Sequence, residues 1–320
     1  MSNTTALLDE SEWLKRIAKP ARPHKAYAMY STWWDGIVTD EKLMLIPIDD
    51  HQVHRGDAVF EAFRVIDKKP YLLREHLDRL ERSSQALGLK WPLPRAQLIQ
   101  KLLETIEAAK VSTALVRLFL GRGAGSFSAN PYDTLGEQLH LVVTEFTPPP
   151  PHKTEGGVKM ITSKIKAKDS FWAQIKSCNY LVNVLMKKEA VDHQVDFTVG
   201  VDDNGHLTEG STENLAVVTK EGVLTHPRLS QILSGCTLRR CFEWTPRLQE
   251  EGLIQKSEEK SFTREDLLQA REVMMIGTTL DVLSVVGFDG TAIGNAQPGP
   301  VAKRLKSLLL EDQATFTFLP

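Results

Sequence analysis

Three cysteines in 320 residues, at 178, 236 and 241, make neither a disulfide framework nor the paired C-x-x-C spacing of a zinc site. That scarcity predicts a reducing, cytoplasmic setting and no metal. An excess of charge is also missing. With 39 basic against 41 acidic residues, a net charge of -2 offers no electrostatic case for nucleic acid or an anionic membrane. No apolar run approaches the ~20 residues that a membrane helix requires. The first turns carry Asp9, Glu10 and Glu12 ahead of Lys15 and Arg16, so they read as a short leading helix and not as a signal segment. There is no internal repeat and, apart from one run of prolines, no low-complexity tract. What is present is a chain 42% hydrophobic, long enough for a substantial core and about two domains. Small-molecule chemistry is the expectation.

Short β-rich runs at 27–32, 43–48 and 58–66 are separated by Asp-Gly and Asp-Asp turn signals. Helical spacing then takes over at 73–87, with Leu77, Leu80 and Leu87 on one face, and again at 96–109. Strands are expected at 114–120 and 139–146. The four prolines of 147–151 favour an extended polyproline conformation and place a linker at 147–153. Beyond it, β candidates fall at 158–161, 197–201, 215–219, 222–224 and 273–276. Helices are expected at 179–192, from Thr237, after Thr263 with Asp266 as capping-box partner, and at 300–310. The class is α/β: a small N-terminal α/β domain at 1–146 and a larger, barrel-like α/β domain at 154–320.

Three phrases concentrate chemistry: I-K-S-C-N-Y at 175–180, L-T-E-G-S-T-E-N-L at 207–215 and I-L-S-G-C-T at 232–237. A lysine can hold an aldehyde cofactor as a Schiff base, a glutamate can keep a pyridine nitrogen protonated, and a helix N-terminus can hold a phosphate. With V-H-R-G-D-A-V-F-E-A-F-R at 53–64, E-H-L-D-R-L at 75–80 and M-I-G-T-T at 275–279, their order resembles the fold-type IV pyridoxal phosphate enzymes, which include branched-chain and D-amino acid aminotransferases and aminodeoxychorismate lyases. The resemblance implies a closed barrel, a pyridoxal 5'-phosphate site where the two domains meet, and a homodimer.

Taken alone, Lys176 reads as one surface lysine among many and Glu209 as a solvated turn carboxylate. The resemblance makes Lys176 the catalytic amine and Glu209 the partner of the cofactor ring nitrogen. It assigns Arg79 to the phosphate, Leu233 to the ring face and Tyr180 to the phenolic oxygen; the helix start at Gly235-Cys236-Thr237 and the similar Gly277-Thr278-Thr279 after a strand add free N–H groups and hydroxyls that make a phosphate cup with Arg79. Glu75 and Asp78 are the bland partners for Arg79; Glu213 is a runner-up to Glu209 that matches a loop position. Lys164, Lys166 and Lys168 alternate like a solvated strand face.

On the substrate side the resemblance implies Phe60, Arg64, Arg117 and Thr279. Alternation sets Arg64 in a row with Phe60, Ala62 and Ile66, and Arg117 between Leu115 and Phe119, so both arginines are read as buried, binding a carboxylate or an internal acid such as Glu61. Leu238 stands where many relatives have arginine and Leu115 where branched-chain enzymes have tyrosine. Ala124-Gly125-Ser126-Phe127 lacks the Arg-x-His trap of bacterial D-amino acid transaminases. The reading is a transaminase moving an amino group between an amino acid and a 2-oxo acid. The alternatives are a lyase that releases 4-aminobenzoate and pyruvate, or a catalytically inert cofactor-binding protein.

Overall fold

The computed structural model describes residues 5–17 and 24–318. The leading helix is present as α1 (Glu10–Ile17). The first half then runs β1 (Ala26–Ser31), β2 (Gly36–Val38), α2 (His51–His54), β3 (Ala58–Ile66) and β4 (Lys69–Pro70). It continues through α3 (Leu73–Ala86), α4 (Arg95–Ala109), β5 (Ala114–Gly121) and β6 (Gln138–Thr144). The strands form one antiparallel sheet in the order β2-β1-β6-β5-β3-β4. Alternation along β3 sends Val59, Phe63 and Val65 into a core with Leu77 and Leu80 of α3 and Leu98, Leu102 and Ile106 of α4. The opposite side of β3 is left for Phe60, Ala62 and Arg64.

The strand expected at 43–48 does not form. Asp40 accepts a hydrogen bond from the Lys42 N–H and caps a single 3-10 turn, Glu41–Leu43, and Pro47 has no N–H to give a ladder.

The proline run is not extended throughout either. Pro150 has polyproline geometry (φ -67°, ψ 154°), but Pro151 opens α5 (Pro151–Gly156). Proline suits the first turn of a helix, where its missing N–H has no partner to lose.

The chain goes on through β7 (Val158–Thr162), α6 (Ser170–Ala173), α7 (Leu181–Asp192), β8 (Phe197–Val199), β9 (Asn214–Val218) and β10 (Val223–His226). Next come α8 (Cys236–Glu243), α9 (Thr245–Glu250), β11 (Lys256–Glu259) and α10 (Arg264–Leu268), the last opened by the expected Thr263–Asp266 capping box. The chain closes with β12 (Glu272–Gly277), β13 (Asp281–Phe288), β14 (Thr291–Ala292) and α11 (Pro300–Thr315). The second sheet follows the path β11-β10-β9-β12-β13-β7-β8, with β14 on β13. Its ends do not pair with each other among the described residues, so it is a half-barrel and not the closed barrel the resemblance implied.

One side of this sheet packs under α8 and α11 through Ala216, Met274, Leu305 and Leu309; the other is filled by Val158, Leu215, Met275 and Phe288. Two crossings tie the sheets together. Tyr71 and Leu72 join the core under α8 and α11, while Ile175 joins the core of the first sheet. No helix among the described residues is long and apolar enough to cross a membrane.

Candidate active site

A cavity of about 390 Å³ opens between the two sheets, within the size range of small-molecule sites. The first sheet contributes Phe60 and Ala62 from β3, Leu115 and Arg117 from β5, and Arg79 from the adjoining α3. The other side is made of loop and helix starts: Lys176, Tyr180, Leu233, Cys236 with Thr237, and Thr278 with Thr279. Ten of the twelve residues singled out in the sequence line this one space. Glu209 and Arg64 do not.

Lys176 is placed by a backbone graft. The segment 176–178 lies alongside the start of β3, Phe60 N donating to Lys176 O at 2.9 Å and Cys178 N to Ala58 O at 2.7 Å. Lys176 N also donates to Ser83 Oγ at 3.2 Å. Nζ consequently sits 4.6 Å from the Phe60 ring centroid and 5.9 Å from that of Tyr180. Burial, reinforced by the Arg79 charge, pulls its pKa down to about 8. Tyr180 is the residue just before α7, and its ring meets Phe60 edge-on at 5.2 Å.

Glu209 stands in an adjoining cleft, one layer back from the main cavity wall. Its Oε2 accepts from Leu233 N at 3.1 Å and from Asn214 Nδ2 at 3.2 Å, and both of those residues do line the cavity. Burial raises its pKa to about 7, against the pull of the Leu233 N–H and nearby cations. Glu213 belongs to its own loop, where the Thr212 N–H and hydroxyl donate to its carboxylate.

Arg79 is neither on a surface nor paired with Glu75 or Asp78. It is 5% exposed and donates through Nε and Nη2 to the two carboxylate oxygens of Glu61, each at 2.7 Å. Its Nη1 donates to Ser234 O at 3.0 Å, immediately before the Gly235 turn. His76 joins Glu61 at 2.7 Å. Burial alone would raise Glu61; Arg79 and His76 outweigh it and hold its pKa to about 2. Asp78 pairs instead with Arg95.

Beside the Arg79 guanidinium, Gly235 precedes α8, and a Cβ there would overlap the Asn214 carboxamide oxygen, which leaves glycine as the residue that fits. Cys236 and Thr237 form the first helical turn, whose N–H groups have no intrahelical acceptor. Thr237 Oγ1 lies 3.4 Å from Thr278 Oγ1. Two hydroxyls, a helix N-terminus and a guanidinium converging on one pocket form a donor set that fits a phosphate dianion.

The two substrate-side arginines part company. Arg64 is buried but turned away from the cavity. It forms an ion pair with Asp281 at 2.7 Å, donates to Thr278 O at 2.9 Å and to Gln313 Oε1 at 3.1 Å, and stacks on Phe146 at 4.3 Å. Glu61 is not its partner. Arg117 was read as buried and is exposed: it lies on the open side of the cavity, donating to Thr144 Oγ1 at 2.8 Å. Sequence reasoning gave no role to Asn214, although it stands inside the phrase at 207–215, nor to Asp281.

An unpaired, depressed amine and a raised carboxylate beside an anion cup define a small-molecule enzyme. Residues 58–288 match the family model described as amino-transferase class IV, and the chain belongs to that family. It is thus a pyridoxal phosphate-dependent aminotransferase. The chain is 36% identical to the chloroplastic D-amino-acid transaminase of Arabidopsis thaliana over 288 residues, covering 89% of this chain and 76% of the relative. In structure it resembles the branched-chain amino acid aminotransferase of Escherichia coli, at a TM-score of 0.81, 25% identity, and coverage of 90% and 94%. Another branched-chain amino acid aminotransferase, solved with pyridoxamine 5'-phosphate, aligns at a TM-score of 0.82 and 26% identity, with the same 90% and 94% coverage. These likenesses support amino-group transfer over the lyase and the inert binding protein.

Proposed function

We propose that this cavity exchanges an amino group between an amino acid and a 2-oxo acid, with pyridoxal 5'-phosphate held covalently by Lys176. The observation that carries the reading is the environment of Lys176: an amine buried against Phe60 and Tyr180 and lowered to about 8 has a far larger neutral, nucleophilic fraction near neutral pH than an ordinary lysine. When bound, the cofactor supplies an aldehyde carbon for the amino group and a ring that accepts the electrons left at the substrate Cα.

The chain supplies the rest. Arg79, Thr237, Thr278 and the first N–H groups of α8 would hold the phosphate and so fix the register of the ring. Glu209, held by Leu233 N and Asn214, would face the ring nitrogen and favour its protonated form. Tyr180 would donate to the phenolic oxygen, and Leu233 would pack on the ring. Lys176 Nζ would carry the proton that leaves the substrate Cα. Phe60 borders the substrate, and Arg117 with Thr279 supplies donors for its carboxylate. Arg64 keeps a supporting part: by donating to Thr278 O it holds the backbone of the phosphate cup.

The chain is read as a cytoplasmic homodimer, on the strength of its cysteine scarcity and its family. The test is borohydride reduction of the protein loaded with pyridoxal 5'-phosphate, followed by peptide mass analysis, with a panel of amino donors of both hands against 2-oxoglutarate and pyruvate. A reduced adduct on Lys176 and keto acid formation support the reading. Adduct on another lysine, or turnover unchanged in Lys176→Ala, sinks it.

A further inference from the structure

The alternating lysines 164, 166 and 168 do not form a strand face. They lie in an irregular segment after β7, where Lys164 and Lys166 are exposed and Lys166 pairs with Asp203 at 2.9 Å, while Lys168 turns inward. Its Nζ sits 4.9 Å from the centroid of the Tyr180 ring. That ring has Lys176 Nζ 5.9 Å and the Phe60 ring centroid 5.2 Å from its own centroid. Lys168 also lines, with Glu209, the cleft that adjoins the main cavity.

An ammonium drawn partly out of water needs compensation. Burial lowers the pKa of Lys168 and Glu209 pulls it back up; the same attraction, felt by Glu209, comes ahead of the contributions of Lys176 and Arg79. Of these cations, Arg79 is shared between Glu61 and the phosphate end of the site, and Lys176 is the amine the cofactor engages. Tyr180 faces the group as a neutral phenol, since burial and then the Glu209 charge push its ionisation upward.

We propose that Lys168 is a positioning residue of the cofactor site: it seats the Tyr180 ring by a cation–π contact and supplies the positive charge that keeps Glu209 ionised opposite the ring nitrogen. The inference rests on the functional reading above, because Glu209 must have a ring nitrogen to face.

The experiment uses cofactor-stripped, full-length protein and pyridoxamine 5'-phosphate, which keeps the ring and phosphate but has no aldehyde to react with Lys176. Affinity is measured by tryptophan fluorescence or calorimetry from pH 5.5 to 9 for wild type, Lys168→Met and Lys168→Arg. As Glu209 loses a neighbouring positive charge, the pH below which Lys168→Met binds weakly moves up by about one unit, the effect of one charge in a partly screened interior. Lys168→Arg follows wild type. A limb that stays in place in Lys168→Met, or affinity lost by one factor at every pH, overturns the proposal. Lys168→Gln repeats the measurement if the methionine variant does not fold. Borohydride trapping with pyridoxal 5'-phosphate separates the two readings. An adduct on Lys176 in all variants leaves Lys168 alone under test, whereas none in wild type removes the site reading and the role of Lys168 with it.

Discussion

Two groups of charge flank one cavity and follow opposite rules. On the α3 side, Glu61, His76 and Arg79 are locked by hydrogen bonds of 2.7 Å, and every member is driven toward its charged form. Glu61 is held to about 2. His76 rises to about 9: burial opposes its charge, and Cys236 and Glu61 overcome that opposition. On the loop side, Lys176 and Glu209 have no short ion pair with each other, and burial pushes each toward neutrality, to about 8 and about 7. Pairing makes a rigid frame whose protonation does not change near neutral pH. Isolation makes groups poised to exchange protons there. On the proposed function, the frame would hold the phosphate end of the site and the isolated pair would carry the chemistry.

The sharpest way to break this contrast is to remove the isolated amine. Lys176→Ala is expected to lower turnover on the order of 10³-fold or more, since no other group can take its place as nucleophile and proton carrier. Its melting temperature should hold or rise, because a buried, partly charged group is gone. A comparable loss of stability would mean that Lys176 belongs to the frame.

The reciprocal substitution is Glu61→Gln. It strands the buried guanidinium of Arg79 and the ring of His76 and should cost about 3–5 kcal/mol of stability in denaturant unfolding. The pH dependence follows from the signs. The folded pKa of Glu61 lies below its ordinary 4.5, so its contribution is present above about 4.5 and is lost as pH falls toward about 2. The folded pKa of His76 lies above its ordinary 6.5, so its contribution is present below about 6.5 and disappears as pH rises through about 9. The wild-type stability curve should decline at both ends and the acid decline should be shallower in Glu61→Gln.

A gentler probe changes only pH. Covalent capture of pyridoxal 5'-phosphate needs the neutral amine, so its rate in cofactor-stripped protein should rise with a midpoint near pH 8, followed by stopped-flow absorbance. A midpoint near the ordinary 10.5 would place Lys176 in water and erase the contrast.

The legible half of this site was the half written in contiguous phrases. Lys176, Tyr180, Leu233 and Thr237 come with neighbours that mark them, and the helix starts around them carry local signals. Glu61 was less legible because strand alternation turns it to the helix side, where its partners lie 15 and 18 residues further on α3. Asp281 and Gln313 were invisible as anchors of Arg64 because 214 residues or more separate Arg64 from the groups that hold it. The same alternation rule treated Arg64 and Arg117 alike. Tertiary register, which no local pattern encodes, buried one and exposed the other. The half-barrel was legible as a set of short strands but not as an open path, since closure depends on pairing between the first and last strands.

That divergence supplies the smallest expected effect. Arg117 is exposed, has a neutral partner in Thr144 and lies on the open side of the cavity, so it belongs to neither the paired frame nor the isolated pair. An exposed guanidinium contributes little to folding, and the proposed function gives it a substrate carboxylate to hold through water-accessible contacts. Arg117→Ala should therefore raise the KM for the amino acid and the 2-oxo acid by roughly 3–10-fold, leave kcat within about 2-fold, and leave the melting temperature unchanged, the pattern of lost ground-state binding. Arg64→Ala makes the control. With Asp281 left as an unpaired buried acid, it should lose stability first, and only through that loss affect turnover. If Arg117→Ala instead lowers kcat without moving KM, the guanidinium acts on the reacting centre, and the division between a charged frame and a reactive pair has to be redrawn to include it.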